Sequence, residues 1–345
     1  MFASPAHLFA ELPWAAVQGL ADAAAPPGPS SVAFTAIRFV MYAALLGLIG
    51  ASLFVLLLLR RLRALGLGSD QFAEDAAAAA RRLGLVCAAV LMLAAPARLI
   101  AQAVSLDVSV GVVLGAAWGR AWMAQMAGAV AAVAALIGVR TIALPRWRIA
   151  GVGAAAIAAG FALSGHAASA PRWSSLSIIA DLTHLLAGGA WIGTLAAVAL
   201  AGIPAAMRAP EGSRGSIAAA LVRTFSPLGL ASFAALAVTG TFAAWEHLGA
   251  FAPLFTSEYG QALLWKLGAV AAVAALGALN AWVLAPRLGS EQAARGIRRS
   301  AMRELVVALW VILITAVLVA KPTPDETAAS SAGPTAPLTT SLLPR

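Results

Sequence analysis

Apolar runs long enough to cross a bilayer fill this chain, and the arginines gather in the gaps between them. A helix needs about 20 apolar residues to span about 30 Å of hydrocarbon. Windows of that kind fall at approximately 32–59, 83–104, 118–139, 148–166, 176–202, 221–246, 260–284 and 302–320. Four alternate gaps, 60–82, 140–148, 203–223 and 285–303, hold 16 of the 23 basic residues, whereas the gap 247–259 holds none. By the positive-inside rule those four gaps face the cytoplasm and both termini lie outside it. Hydrophobic residues at 61%, charged residues at 11% and a mean hydropathy of +0.89 exclude an ordinary soluble domain. The expected fold class is all-α: a polytopic membrane protein, a bundle of eight transmembrane helices with both termini on the outer, periplasmic side.

Topology also accounts for the formal net charge of +9, which therefore implies the lipid bilayer and no nucleic acid as partner. The lone cysteine, Cys87, sits in an apolar run and excludes an internal disulfide or a CxxC clamp. Any metal must then be held by His, Met, Asp or Glu. Residues 1–31 end in the turn-forming run PPGPSS and are expected to form an external segment; residues 321–345, rich in Pro, Thr, Ser and Ala, are expected to form a disordered external tail. Neither GxxxxGKS/T nor a DKTG-like phosphorylation site occurs, so ATP-driven pumping is not expected.

Chemistry concentrates in the run DLTHLLAGGAWIG, residues 181–193. Asp181 and His184 are spaced i and i+3, share one helical face, and lie where ionisable groups are costly unless paired or functional. The helix enters from outside, which puts His184 about 9 to 12 Å below the outer surface. His166 falls at the outer end of the preceding helix, Glu246 and His247 at that of the following one, and His7 in the external segment, so all four histidines fall toward one side. Arg38, Arg98 with Gln102, Arg120 and Lys266 fall in the same outer half. Met41 lies one turn from Arg38, and Met123 and Met126 share a face with each other. Thioether and imidazole suit Cu(I), imidazole and carboxylate suit Cu(II), and copper heads the divalent affinity order, so copper is the metal this inventory favours.

Plain structural roles fit some of the same residues. Asp181 can serve by hydrogen-bonding His184 and setting its tautomer. Arg98, Arg120 and Lys266 can snorkel to the interface or pair with Asp181 and Glu246. Trp173, Trp191, Trp245 and Trp265 suit an interfacial aromatic belt, and single methionines commonly fill cores.

Taken together, LSGHAAS (163–169), DLTHLLAGGAWIG (181–193), FSPLGLASFAALAVTGTFAAW (225–245), TSEYGQALLWKLGAVAAVAALGALN (256–280) and RELVVALWVILITAVLVAKPTP (303–324) resemble the CopD family of bacterial copper-resistance inner-membrane proteins. The resemblance rests on the C-terminal half and divides the chain into helices 1–4 (32–166) and CopD-like helices 5–8 (167–320). It implies copper homeostasis without enzymatic activity, in the inner membrane, with inward passage of periplasmic copper beside a periplasmic copper-binding partner of the CopC type. The family pattern falls on His166, Asp181, His184, Trp191, Tyr259, Lys266, Asn280 and Glu304. Lys266 and Asn280, 14 residues apart, share a face and can line one polar seam. Glu304, beside Arg303 at the inner end of the last helix, is expected as a cytoplasmic-side gate or a salt-bridge partner. Two other readings use the same residues: a b-type haem protein with axial histidines, which a Soret band would reveal, and a copper-delivery or assembly factor without transport.

Overall fold

The computed structural model describes residues 30–138, 142–165, 173–280, 282, 289–321 and 323–324. The expectations for His7, His166, the first 29 residues and the tail from 325 onward lie outside these residues.

All the described elements are helical. The first rod, α1, runs through Ser30–Leu53, a π-helical turn Phe54–Leu59 and Arg60–Ala64. It is followed by α2 (Asp70–Ser105), the short α3 (Val110–Gly115), α4 (Ala117–Leu136) and α5 (Leu144–Leu163). The next rod, α6, starts as Ser174–Gly188 and continues through a π-helical turn Gly189–Gly193, Thr194–Ala197, a second π-helical turn Val198–Gly202 and Ile203–Ala206. Then come α7 (Arg214–Leu248), the short α8 (Ala252–Thr256), α9 (Glu258–Leu279) and α10 (Glu291–Leu318). Six of these, α1, α2, α6, α7, α9 and α10, are long and apolar enough to cross a membrane. The chain is a multi-pass membrane protein. The other two expected spans correspond to α4 and α5, each 20 residues long.

Three helices begin well before their apolar windows: α2 at Asp70, α7 at Arg214 and α10 at Glu291. Hydropathy misses these starts because their first turns are polar, yet Ala, Glu, Gln and Arg are strong helix formers. Serine side chains cap two of them, Ser69 accepting from the Phe72 amide and Ser290 from the Ala293 amide. Pro96 and Pro227 sit inside α2 and α7, as membrane helices allow.

The core gathers around α1, whose Met41, Leu45, Leu48, Phe54, Leu58 and Leu62 are fully buried. Here α1 packs against α2, α5, α6 and α10. Water is absent from the bilayer, so close van der Waals contact rather than hydrophobic expulsion holds such helices together, and small residues permit it. A Cβ on Gly50 would sit 1.8 Å from the Gly193 carbonyl carbon, and one on Gly193 would sit 1.8 Å from the Leu46 carbonyl oxygen. In α4 and α5, Gly128 and Gly153 meet in the same way, each ideal Cβ 2.5 Å from the other residue's carbonyl oxygen.

Polar contacts tie the helix ends into two rims. At one end the Ser177 hydroxyl donates to Glu246, the rings of His247 and Tyr259 meet edge to face, and Lys321, first residue of the expected tail, pairs with Glu258 at 2.6 Å. At the other, Arg63 pairs with Asp70 at 2.6 Å, Arg208 with Asp75 at 3.3 Å and Arg214 with Glu291 at 2.8 Å.

A methyl group at the α1–α6 contact must push two backbones apart. Gly50→Ala and Gly193→Ala are each expected to destabilise the full chain in detergent by about 3 kcal/mol, the upper range for overpacking. Gly268→Ala, whose Cβ would meet nothing within 4 Å, is expected to leave thermal unfolding unchanged. Equal melting temperatures for all three variants and the parent chain contradict this.

Candidate functional site

His184 reaches across from α6 to α7, where its Nδ1 lies 2.9 Å from the Thr239 hydroxyl oxygen. That hydroxyl has one proton, and the Ala235 carbonyl, 2.7 Å away, is its nearest backbone acceptor. With that proton given to the Ala235 carbonyl, Thr239 can accept from His184, an arrangement that puts the imidazole proton on Nδ1 and leaves the Nε2 lone pair for a ligand. A ring fixed in this tautomer is the form in which histidine ligates metals. Gly240 makes room beside it: a Cβ there would come within 3.4 Å of the His184 Cε1.

Asp181, one turn earlier, faces the end of α5, its Oδ2 4.0 Å from where a Gly165 Cβ would be. Its charge acts on Lys266 of α9 and on Tyr42 of α1, and Lys266 in turn acts on His184. Three elements, α6, α9 and α1, thus bring an imidazole, a carboxylate, an ammonium and a phenol within electrostatic range of one another. Sequence reasoning missed Tyr42 and Thr239. Tyr42, one of two tyrosines, carried a signal, since it stands one turn from Arg38. Thr239 carried none, because hydroxyls are common in membrane helices.

Arg98 is 7% exposed, and its partners are neither Asp181 nor Glu246. It donates to Gln125 Oε1 at 2.9 Å and to the Ser164 hydroxyl at 3.0 Å. Its guanidinium carbon sits 4.9 Å from the ring centres of both Trp118 and Phe161. Arg98 therefore clamps α2, α4 and α5 together. Arg120 is exposed on the outside of α4.

The methionines separate. Met41 is buried in the core and Met126 packs against it, but Met123 is 47% exposed. The buried face of α4 is set by Ala121, Gln125, Gly128 and Ala132, which meet neighbouring helices, and Met123 projects from the opposite side. His247, against Tyr259, lies eight residues beyond Thr239, about 12 Å along α7, so it does not join His184. Among the described residues no three His, Cys, Asp or Glu side chains group as a metal cage.

The polar seam on α9 follows a seven-residue repeat of Tyr259, Lys266, Val273 and Asn280, with Tyr259 and Val273 buried. At its far end the Asn280 amide donates to Glu304 of α10. Glu304 is 3% exposed and, among the described residues, has no cation within ion-pair distance. α10 starts at Glu291, so Glu304 lies about 20 Å along it, beyond an arginine-rich first half. Trp191, in the π-helical turn of α6, meets Phe233 of α7 edge to face with ring centres 5.3 Å apart.

The fold and this interior define a multi-pass helical membrane protein that keeps ionisable side chains inside its bundle. The family model described as Copper resistance protein D-like, N-terminal domain, matches residues 29–176, and that described as Copper resistance protein D matches residues 219–318. The chain belongs to the CopD family of copper resistance proteins. The N-terminal match extends the kinship beyond the C-terminal stretches in which it was legible by eye, and residues 181–193 fall between the two matched segments. The Copper transport protein CutJ of Bacillus subtilis (strain 168) is 30% identical over 167 residues, 48% of this chain and 29% of that protein. The match spans under a third of that relative's length. No solved structure matches the chain.

Removing Arg98 breaks two charge-assisted hydrogen bonds and two ring contacts at once. Arg98→Ala is expected to cost at least about 3 kcal/mol of stability, and Arg120→Ala less than about 0.5 kcal/mol. Thermal unfolding in detergent checks this, and an Arg98→Ala protein as stable as Arg120→Ala contradicts it.

Proposed function

We propose that this chain binds copper in the outer half of its bundle and carries it inward across the cell inner membrane, through eight spans with both termini periplasmic. The observation that carries the proposal is the His184 ring, held by Thr239 with Nε2 free and set beside Asp181 in an apolar interior. The family membership and the relative named a copper transport protein supply the metal.

In this reading His184 ligates through Nε2, Asp181 ligates or balances the ion's charge, and His166, Met41 and Met126 complete the donor set. Met123 is left out because it faces away, and His247 sits nearer the rim as an entry ligand. Copper is the substrate, not a resident cofactor, so a loose donor set suits it: an ion that must leave cannot be held by a closed cage. Lys266 opposes a cation's approach unless Asp181 neutralises it, which makes that pair a natural barrier. Beyond it, Asn280 and Glu304 offer oxygen donors on the way to the arginine-rich rim. A periplasmic CopC-type protein would hand copper to the outer rim. No catalysis is proposed.

Copper accumulation in cells expressing the full chain tests this. His184→Ala and Asp181→Ala are expected to lower the uptake attributable to the protein about tenfold or more, the usual effect of losing a ligand or its orienting group. Leu230→Ala, on an outward-facing position, is expected to leave uptake unchanged. Uptake equal to the parent chain in both site variants contradicts the proposal.

A further inference from the structure

We propose that the arginine-rich end of the bundle holds a binding site for the headgroup of an anionic phospholipid, in a cavity of about 690 Å³ between the end of α1 and the first half of α7. Two arginines line it, Arg61 from α1 and Arg223 from α7. Both are exposed, and neither guanidinium has an acidic partner among the described residues. Other arginines at this end are spent: Arg63 on Asp70, Arg208 on Asp75, and both Arg214 and Arg295 on Glu291. In a second cavity, of about 370 Å³ and lined by Arg214, Arg295 and Arg298, each guanidinium is already occupied, Arg298 by the Ala199 carbonyl. The larger cavity is the one with unpaired cations.

Its other walls fit the rest of a lipid. Thr224 adds a hydroxyl, and Pro227 has no amide, so the Arg223 carbonyl lacks its usual helical donor and is available to a headgroup hydroxyl. Leu65 and Ala220 supply apolar wall for the glycerol and first methylenes. Guanidinium forks match phosphate oxygens two at a time, and basic pockets between membrane helices are recognised sites for acidic headgroups. A phosphate carried on a lipid gains from both the arginines and the apolar wall; a free phosphate gains only from the first.

Native mass spectrometry of the full chain in neutral detergent, titrated with phosphatidylglycerol, phosphatidylcholine or inorganic phosphate, tests this. Phosphatidylglycerol is expected to bind in preference to phosphatidylcholine and to resist competition by equimolar inorganic phosphate. R61Q/R223Q is expected to weaken phosphatidylglycerol about thirtyfold, from two basic contacts near the headgroups, and R61K/R223K to restore most of the binding. R148Q, an exposed arginine outside the cavity, is expected to bind like the parent chain. Unchanged binding by R61Q/R223Q, an equal loss in R148Q, a Lys pair no better than the Gln pair, or displacement by equimolar phosphate each overturns the proposal.

Discussion

The contact of Gly50 with Gly193 sets how the two central rods lie, and the interior chemistry depends on it. Any side chain at either position would hold α1 and α6 apart, whereas two glycines let backbone meet backbone. The contact falls on the π-helical turn Gly189–Gly193, where the extra residue re-aims the turn so that Gly193 faces α1 while Trp191 meets Phe233 of α7. From that fixed point α6 runs back toward its start with His184 about 14 Å away, facing Thr239 of α7. The glycines of the GGAWIG run are thus positioning devices: they seat the helix that carries the imidazole and the carboxylate.

Charge inside an apolar bundle is tolerated in two different ways here. Arg98 is held, among the described residues, without any carboxylate, by two neutral oxygen acceptors and two aromatic faces, which stiffens the α2–α4–α5 side. Asp181 and Lys266, by contrast, lie within electrostatic range of one another across α6 and α9. The first arrangement is closed and structural. The second leaves an imidazole nitrogen and a carboxylate on one helical face, and Asn280 with Glu304 repeats a polar pairing further along the same α9 seam.

Much of this was legible in the sequence because hydropathy and spacing express it directly. Six apolar windows correspond to membrane-long helices, and the i, i+3 spacing of Asp181 and His184 places both within the bundle. The heptad from Lys266 to Asn280 runs along one side of α9, where Val273 is buried and Asn280 meets Glu304. What was not legible depends on which way a helix faces or on groups with no hydropathy signature. A helical period groups Met123 with Met126 but cannot tell which face α5 covers, and the buried place on α4 went to Gln125. The early start of α10 is written in an Ala- and Arg-rich turn rather than an apolar one, which hydropathy does not mark. The tautomer of His184 hangs on the hydroxyl of Thr239, which no local pattern marks.

The proposed route takes copper through the protein by way of His184 and the α9 seam. Flux of copper into sealed vesicles reconstituted with the purified full chain, read by an enclosed copper-sensitive dye, tests it most directly. Flux well above that of protein-free vesicles is expected, lost when Gly240→Leu fills the space beside the His184 ring or when Asn280→Leu interrupts the seam. Flux no greater than in empty vesicles, or flux that both substitutions leave intact, would contradict it.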